Sequence, residues 1–342
     1  MIVRARAPLR LGLAGGGTDV SPYSDLHGGL VMNATIDRYA HATVDESPDG
    51  RIEFHTLDHG ESGAWDVDAT AQGEGSLRLM SGAFARVVRD YLGGRAPAIR
   101  IRTYSDAPPG SGLGSSSTMM VAIVTALADY FSLGLGEYEI AHLAFEIERR
   151  DLGLSGGKQD QYAAAFGGFN FMEFHRDDRV IVNPLRIKPW VSAELEASLV
   201  LYFTGVSRAS AHIIDEQIRN VEAGAAKSLD AMHRLKEEAV VMKESLLKGD
   251  LRRFAEALQA GWLAKKQMAS SINNPHIDAI ERIAVAHGAQ ATKVSGAGGG
   301  GFVMFYCAPH DRIRLSRALL AEGGSIMDFH FTAEGAIAWR PN

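Results

Sequence analysis

The 342-residue chain has a single cysteine, no excess of basic residues and no long apolar run. Cys307 cannot form an internal disulfide, and no cysteine cluster can hold a metal, which fits a reducing cytoplasm. With 35 Lys and Arg against 41 Asp and Glu, the formal charge of −6 disfavours a nucleic-acid binder. No apolar stretch reaches the about 18 residues of a membrane span, and the first residues carry no signal-peptide core. We therefore expect a cytoplasmic protein with a small-molecule partner, without nucleic-acid or membrane partners and with its oligomeric state open.

The periodicity of apolar residues predicts an α+β fold. Strand patterns cover residues 2–14, 30–44, 51–57 and 98–104, and helix patterns cover 76–92, 115–131 and 137–150, without regular βαβ alternation. The second half is almost wholly helical from 209 to 269, where two long helices with a break near Gly249-Asp250 are predicted, and it ends in a strand–helix–strand unit. The length suggests about two domains, and the change of pattern places them at 1–195 and 196–342.

Glycine is abundant, with 37 residues, and 11 of these lie in three clusters, at 15–17, 110–114 and 296–301. The second cluster lies in the segment Pro109-Gly110-Ser111-Gly112-Leu113-Gly114-Ser115-Ser116-Ser117, between a strand and an apolar helix. Glycines let backbone N–H groups approach a ligand, and a helix N-terminus favours anions. The segment therefore predicts a phosphate-binding loop that is not a Walker A loop. The simpler alternative is a glycine turn with capping serines.

The third cluster contains G-x-G-x-x-G but runs into a strand at 302–305, which disfavours a dinucleotide-binding fingerprint. A ligand-binding loop and a structural hairpin are equally consistent with it. Two carboxylates, Glu148 and Asp160, lie near the end of one predicted helix and the start of the next. From spacing alone, Glu148 fits a solvated helix face and Asp160 fits a favourable first-turn position.

Taken together, the clusters resemble the motifs of the GHMP kinases. The matching segments are Ala7–Leu11 leading to Ala14–Asp19, the loop Pro109–Ser117, and Lys293–Gly301. Within that family, Ala14–Asp19 followed by Pro22-Tyr23-Ser24, together with Gly156–Tyr162, is similar to the D-glycero-D-manno-heptose 7-phosphate kinases. Galactokinases usually have Gly-Glu-His-Thr-Asp in the first motif, where this chain has Gly16-Gly17. The resemblance implies an N-terminal domain related to the ribosomal S5 domain 2-like fold and a C-terminal ferredoxin-like domain, with the site between them.

The resemblance also implies a role for each matching residue. It assigns ATP phosphates to the loop residues Pro109, Gly110, Ser111, Gly112, Leu113, Gly114, Ser115, Ser116 and Ser117. It assigns Mg²⁺ to Ser116 and Glu148, the catalytic base to Asp160 and the sugar hydroxyls to Asp19. The other residues predicted to bind the substrate are Arg10, Gly16, Gly17, Thr18, Gly298, Gly299 and Arg208. Lys158, two residues from Asp160, is expected to support the charge of that base. For a distal substrate phosphate, Arg10, Lys158, Arg208 and Arg149 are unranked candidates.

The implied activity is ATP-dependent phosphorylation of the anomeric hydroxyl of D-glycero-D-manno-heptose 7-phosphate to the 1,7-bisphosphate. Such a step leads to nucleotide-activated heptose for surface polysaccharide. One alternative is another sugar-1-kinase, fucokinase-like or galactokinase-like, and a second is a non-catalytic nucleotide or sugar sensor. A nicotinamide dehydrogenase is a weak third alternative, because it depends only on the glycine pattern at 296–301.

Overall fold

Two β-sheets organise the chain in the computed structural model, which describes residues 1–108, 110–205 and 210–341. The larger sheet contains β1 (Ile2–Ala14), β2 (Gly29–Glu46), β3 (Ile52–Thr56), β4 (Glu61–Trp65), β5 (Ile99–Ser105), β6 (Phe169–Phe174), β7 (Val180–Pro184) and β12 (Ile337–Trp339). Its order is β12-β1-β2-β5-β3-β4, with β6 joining the first part of β2 to β7. Among the named strands, only the β3–β5 pair is parallel within the described residues.

The smaller sheet belongs to the second half of the chain. It contains β8 (Leu199–Phe203), β9 (Ala289–Val294), β10 (Phe302–Cys307) and β11 (Ser325–Met327) in the order β11-β8-β10-β9. The helices are α1 (Tyr23–His27), α2 (Arg78–Tyr91), α3 (Ser115–Tyr130), α4 (Glu137–Glu146), α5 (Gln159–Phe166), α6 (Pro189–Ser198), α7 (Ser210–Glu222), α8 (Ala226–Lys248), α9 (Leu251–Lys265), α10 (Pro275–Ala286) and α11 (Arg312–Ala321). In the described part of the chain, no helix is both long and apolar enough to span a bilayer.

The core explains the strong apolar patterns in the sequence. Helix α3 is buried on nearly every side because it packs against β1 and β2 and is flanked by α4 and α5. Between the two sheets, Leu9 and Leu11 of β1 join one apolar cluster with Leu258 of α9 and Met304 of β10. Burial of this shared cluster fixes the two halves against each other around the end of β1.

Most of the predicted elements are present, with local differences. The predicted helix 137–150 ends as α4 at Glu146 and continues as one π-helical turn, Ile147–Asp151. In the region 209–269 the structure has three helices, α7, α8 and α9, where two were predicted, because α7 ends at Glu222 before α8 begins at Ala226. The predicted break near Gly249-Asp250 is confirmed. There Gly249 takes the left-handed conformation, and the Asp250 carboxylate accepts from Arg253 N at 3.0 Å to cap α9.

The division at residues 195 and 196 stays a prediction, but the end of the chain returns to the first half. Strand β12 pairs antiparallel with β1, with Ala338 opposite Ala5. The larger sheet therefore includes a strand from beyond residue 196.

Candidate active site

A cleft with a volume of about 280 Å³ lies where the three glycine clusters meet. Its walls include glycines of every cluster, among them Gly17, Gly112 and Gly296, as well as charged side chains from distant parts of the chain. Those charged residues are Arg10, Asp19, Glu148, Arg149, Asp160 and Lys265. The fold thus assembles the three motifs around one cavity.

The loop before α3 has the geometry of an anion site. Gly112 and Gly114 have φ of +82° and +78°, a region that favours glycine. Helix α3 begins at Ser115, and no described side chain caps it; the first helical bond runs from Thr118 N to Gly114 O. The N–H groups of residues 115–117, which precede Thr118, therefore have no intrahelical partner. They lie in the wall of the cleft at the positive end of the helix dipole. Since Ser111 and Ser115 instead bond each other at 2.9 Å, the capping alternative does not describe this loop.

The third glycine cluster packs backbone to backbone against that loop. A Cβ atom at Gly112 would lie 2.6 Å from Ser295 O, and one at Gly296 would lie 2.8 Å from Gly112 Cα. Ser295 Oγ also donates to Gly112 O at 2.9 Å. The glycine pattern at 296–301 therefore serves loop packing, which the larger side chains of other residues would prevent.

Gly298 and Gly299 are not among the residues that line the cleft, and their substrate role stays a prediction. Gly299 N donates to Ile272 O at 2.8 Å, and Gly299 O accepts from Asn274 Nδ2 at 3.0 Å. A Cβ at Gly298 would lie 2.9 Å from Ile272. These two glycines seat the loop on residues 272–274, while their neighbours Gly296 and Ala297 line the cavity.

Asp160, in the first turn of α5, forms a bidentate ion pair with Arg10 of β1. Arg10 Nε and Nη2 donate to the two carboxylate oxygens at 2.7 and 2.8 Å. Arg10 Nη1 also donates to Gly112 O at 2.6 Å, which ties the pair to the phosphate loop. The planar fork fixes the plane of the carboxylate, whose oxygens retain further acceptor positions. Arg10 therefore orients Asp160. The guanidinium that was predicted to bind the substrate is paired with this carboxylate in the structure.

The side chain of Lys158 has acidic partners other than Asp160. Its Nζ lies 2.7 Å from Asp178 Oδ1 and 3.6 Å from Asp25 Oδ1, and no described contact joins it to Asp160. Lys158 lines a neighbouring cavity of about 420 Å³ together with Arg149 and Asp178. Arg10 is the cation in contact with Asp160 in the described structure, and the catalytic role of Lys158 stays a prediction.

Asp19 lies at the junction of the first motif and α5. Its carboxylate accepts from the main-chain N–H groups of Gly17, Lys158 and Gln159 at 3.1, 2.9 and 3.1 Å, and from Gln159 Nε2 at 3.0 Å. Four bonds use about all the acceptor positions of a carboxylate. Although it lines the cleft, Asp19 is thus occupied with holding the start of α5, and with it Asp160, in place.

The neighbouring Thr18 is fully buried and outside the lining of the cleft. Its hydroxyl donates to Gly15 O at 2.8 Å and accepts from Leu30 N at 3.1 Å. The hydroxyl of Thr18 therefore closes the glycine turn, and its predicted substrate role stays a prediction. Gly17 lines the cleft, and Gly16 lies beside it next to Lys265 and Gln159.

Ser116 and Glu148 meet, as a shared metal role requires. Ser116 Oγ donates to Glu148 Oε1 at 3.2 Å, and Gln161 Nε2 donates to Glu148 Oε2 at 2.5 Å. The π-helical turn brings the buried Glu148 inward. Among the described residues, no group of three or more His, Cys, Asp or Glu could hold a metal. One hydroxyl and one carboxylate beside a phosphate loop fit Mg²⁺, which is commonly bound by one or two carboxylates and phosphate oxygens.

Sequence reasoning missed Lys265, the last residue of α9, which lines the cleft and is buried. Its Nζ donates to Gly296 O at 2.6 Å and lies 3.5 Å from Gly16 O, so it links the first and third clusters. Burial, with a contribution from the charge of Arg10, lowers the pKa of Lys265 to about 8. Nothing in the spacing of a helical lysine signals this position.

Two predicted site residues, Pro109 and Arg208, lie outside the described residues.

Comparison with known proteins agrees with this geometry. The family models of the GHMP kinases N terminal domain and of the GHMP kinases C terminal region match residues 78–168 and 242–325. The D-glycero-alpha-D-manno-heptose 7-phosphate kinase of Campylobacter jejuni is 46% identical over 339 residues, which cover 99% of both chains. The crystal structure of a D-glycero-D-manno-heptose 1-phosphate kinase from Bacteroides thetaiotaomicron has a TM-score of 0.85 at 46% identity and 99% coverage of both chains.

A more distant relative is the L-fucokinase/L-fucose-1-P guanylyltransferase of Bacteroides fragilis, 25% identical over 93% of this chain and 36% of its own length. These similarities confirm the predicted α+β fold and an ATP-dependent kinase activity. The chain belongs to the GHMP kinase family.

Proposed function

We propose that the chain transfers the γ-phosphoryl group of ATP to the anomeric C1 hydroxyl of D-glycero-D-manno-heptose 7-phosphate, forming the 1,7-bisphosphate. The observation that carries the proposal is the meeting of Asp160, Ser116 and Glu148 at the start of α3. The 46% identity to the Campylobacter jejuni heptose 7-phosphate kinase supports the choice of acceptor.

The phosphate loop supplies the electrostatic part of the reaction. The N–H groups of residues 115–117 and the dipole of α3 bind the phosphate oxygens, on which charge develops during transfer. Ser116 Oγ and Glu148 would hold Mg²⁺, which neutralises charge on those oxygens. Because Gln161 holds the second oxygen of Glu148, the carboxylate is fixed before the nucleotide binds.

Asp160 takes the proton of the attacking hydroxyl. Its carboxylate is about a fifth exposed on the cleft side and is held in plane by Arg10. An anomeric hydroxyl is more acidic than an ordinary alcohol, so a carboxylate within hydrogen-bond distance suffices as the base. Gln159 Oε1 is buried without a described partner in the wall of the same cleft, and we assign it to a sugar hydroxyl.

A panel of acceptors with radiolabelled ATP tests the proposal, followed by phosphorus NMR of the product. The panel contains the heptose 7-phosphate, the heptose 1-phosphate, the unphosphorylated heptose, L-fucose and galactose. We expect the highest kcat/KM for the heptose 7-phosphate and a new phosphate at C1. The 1-phosphate belongs in the panel because the related proteins' names place the acceptor's phosphate at different positions.

The alternatives give different results in the same panel. A preference for L-fucose would favour a fucokinase-like activity. The Bacteroides fragilis relative, at 25% identity, supports this alternative. Nucleotide binding without turnover of any acceptor would favour a sensor. Asp160→Asn is the internal control, since it should retain ATP binding and lose turnover by about 10²-fold or more.

A further inference from the structure

Lys265 is a buried cation in the cleft without a carboxylate partner among the described residues. Within the described part of the chain, its ammonium contacts main-chain oxygens alone, Gly296 O at 2.6 Å and Gly16 O at 3.5 Å. An ammonium has three donors, so at least one stays available toward the cavity. A buried charge normally has an ionic partner, and here the protein supplies none in contact.

The other cations of the cleft are already engaged. Arg10 is bound to both oxygens of Asp160. Arg149 lies at the metal end, where its guanidinium is 3.4 Å from Ser117 Oγ and 3.9 Å from Glu148 Oε1. Lys158 pairs with Asp178 in the neighbouring cavity. Lys265 is thus the cation of the described cleft that has no ionic partner. It is free to bind an anion on the acceptor, away from the transferred phosphoryl group.

Gly16 keeps the approach to this ammonium open. Gly15 and Gly17 have φ of +75° and +106°, so the backbone itself requires glycine there. Gly16 has no such φ, and a Cβ atom on it would lie 3.6 Å from Lys265 Nζ and 3.7 Å from Gln159 Nε2. The absence of a side chain at Gly16 therefore matters for space, and that space lies directly in front of Lys265.

We infer that Lys265 and the space beside Gly16 form the subsite for the distal phosphate of the acceptor, a phosphomonoester on the sugar's exocyclic end. The inference rests on the proposed function. A second buried lysine, Lys293 of β9, interacts electrostatically with Lys265, and burial lowers the pKa of Lys293 well below its usual value. A dianionic phosphate would favour the charged form of both lysines, because an opposite charge offsets the cost of burying an ammonium.

The test compares kcat/KM for the heptose 7-phosphate with kcat/KM for the unphosphorylated heptose, as a ratio. Lys265→Met should lower this ratio by about 10- to 100-fold, the size expected for a lost charge-assisted contact. Lys265→Arg should restore part of it. The matched control is Lys266→Met, because Lys266 pairs with Glu281 at 2.7 Å outside the cleft and should leave the ratio unchanged.

A second variant keeps the test independent of any folding defect at the buried lysine. Gly16→Val leaves the ammonium in place and fills the space in front of it, so it should lower the same ratio. Lys158→Met probes the neighbouring cavity. A ratio that falls in Lys158→Met and stays within about twofold in Lys265→Met and Gly16→Val would overturn the inference, as would unchanged ratios throughout.

The wild-type enzyme separates this inference from the proposed function. If wild type does not prefer the phosphorylated heptose, the proposed function fails and the subsite fails with it. If wild type prefers it and Lys265→Met keeps that preference, the proposed function stands and the subsite is wrong.

Discussion

Arg10→Met removes three contacts of one guanidinium at once. Asp160 loses donors at 2.7 and 2.8 Å, and Gly112 O loses a donor at 2.6 Å. Methionine keeps most of the side-chain volume on β1, so the packing of the core changes little. The phosphate loop keeps the bonds from Ser295 Oγ to Gly112 O at 2.9 Å and from Arg10 N to Leu113 O at 3.1 Å, while the carboxylate that we propose as the base is released.

Burial sets the cost of this substitution for folding, and the position of the base sets its cost for catalysis. Removing one partner of a buried ion pair lowers the free energy of unfolding by about 3–5 kcal/mol. The Arg10 side chain is 4% exposed but that of Asp160 is 21% exposed, so water compensates part of this loss. The effect on kcat comes from the lost orientation of the base, since displacing a catalytic group by about 1 Å costs about 10²-fold in rate. We therefore expect kcat to decrease by about 10²-fold, which corresponds to about 2.7 kcal/mol.

The assay is kcat at saturating ATP and acceptor, with ATP affinity measured separately. Arg6→Met is the control, since Arg6 lies on the same strand, is 34% exposed and pairs with the exposed Glu334 at 3.2 Å. A double-mutant cycle decides the mechanism. If Arg10 acts through Asp160, Arg10→Met adds little to Asp160→Asn. A kcat within twofold of wild type in Arg10→Met would refute this reasoning. So would a double variant whose kcat falls by the product of the two single decreases.

Three further predictions concern metal, backbone and pH. Glu148→Gln should raise the Mg²⁺ concentration for half-maximal activity at least about tenfold, and a Mg²⁺ titration with no such rise would count against the site. Gly112→Ala, with φ +82° and a Cβ 2.6 Å from Ser295 O, should lower the free energy of unfolding by about 2–3 kcal/mol. Gly93→Ala, with φ +62° and nothing within 4 Å, should cost about 1–2 kcal/mol, and equal losses in urea melts would contradict the contact argument. Because the pKa of Lys265 is lowered to about 8, its charge is present below that pH and lost above it. KM for the phosphorylated acceptor should therefore rise above pH 8 in wild type and at higher pH in Lys265→Arg. The charged groups that face Lys265 are Arg10 of β1, Asp19, Asp160 of α5 and Lys293 of β9.

The local sequence pattern was enough to predict those helices and strands that are completely buried or that bury one regular face. Helix α3 and strand β5 were predicted because a continuous apolar run and a regular apolar alternation report burial directly. Strand β4 (Glu61–Trp65) was missed because a short, mostly exposed edge strand carries little apolar alternation. Helix α6 was missed although Pro189 at its first position is a recognised start signal.

The residues of the phosphate loop and the candidate base came from motifs, whereas their partners depend on the tertiary fold. Lys158 was expected beside Asp160 because it lies two residues away. Around a helix start, however, positions i and i+2 do not share a face, so Lys158 points to Asp178 instead. Arg10 is 150 residues away in sequence and reaches Asp160 only because β1 and α5 pack side by side. A sequence without its fold offers no means of finding that pair.

The three glycines of the first cluster illustrate how one residue type serves two purposes. Gly15 and Gly17 provide positive φ, and a Cβ at Gly15 would come within 1.8 Å of Leu30 O, so they form the turn that Thr18 closes. A Cβ atom at Gly16 would lie at ordinary van der Waals distances from its neighbours, so substitution of Gly16 should alter ligand binding more than folding. A substrate-dependent defect in Gly16→Val with wild-type thermal stability would separate the two purposes. An equal loss of stability in Gly16→Val and Gly15→Val would instead assign all three glycines to the turn.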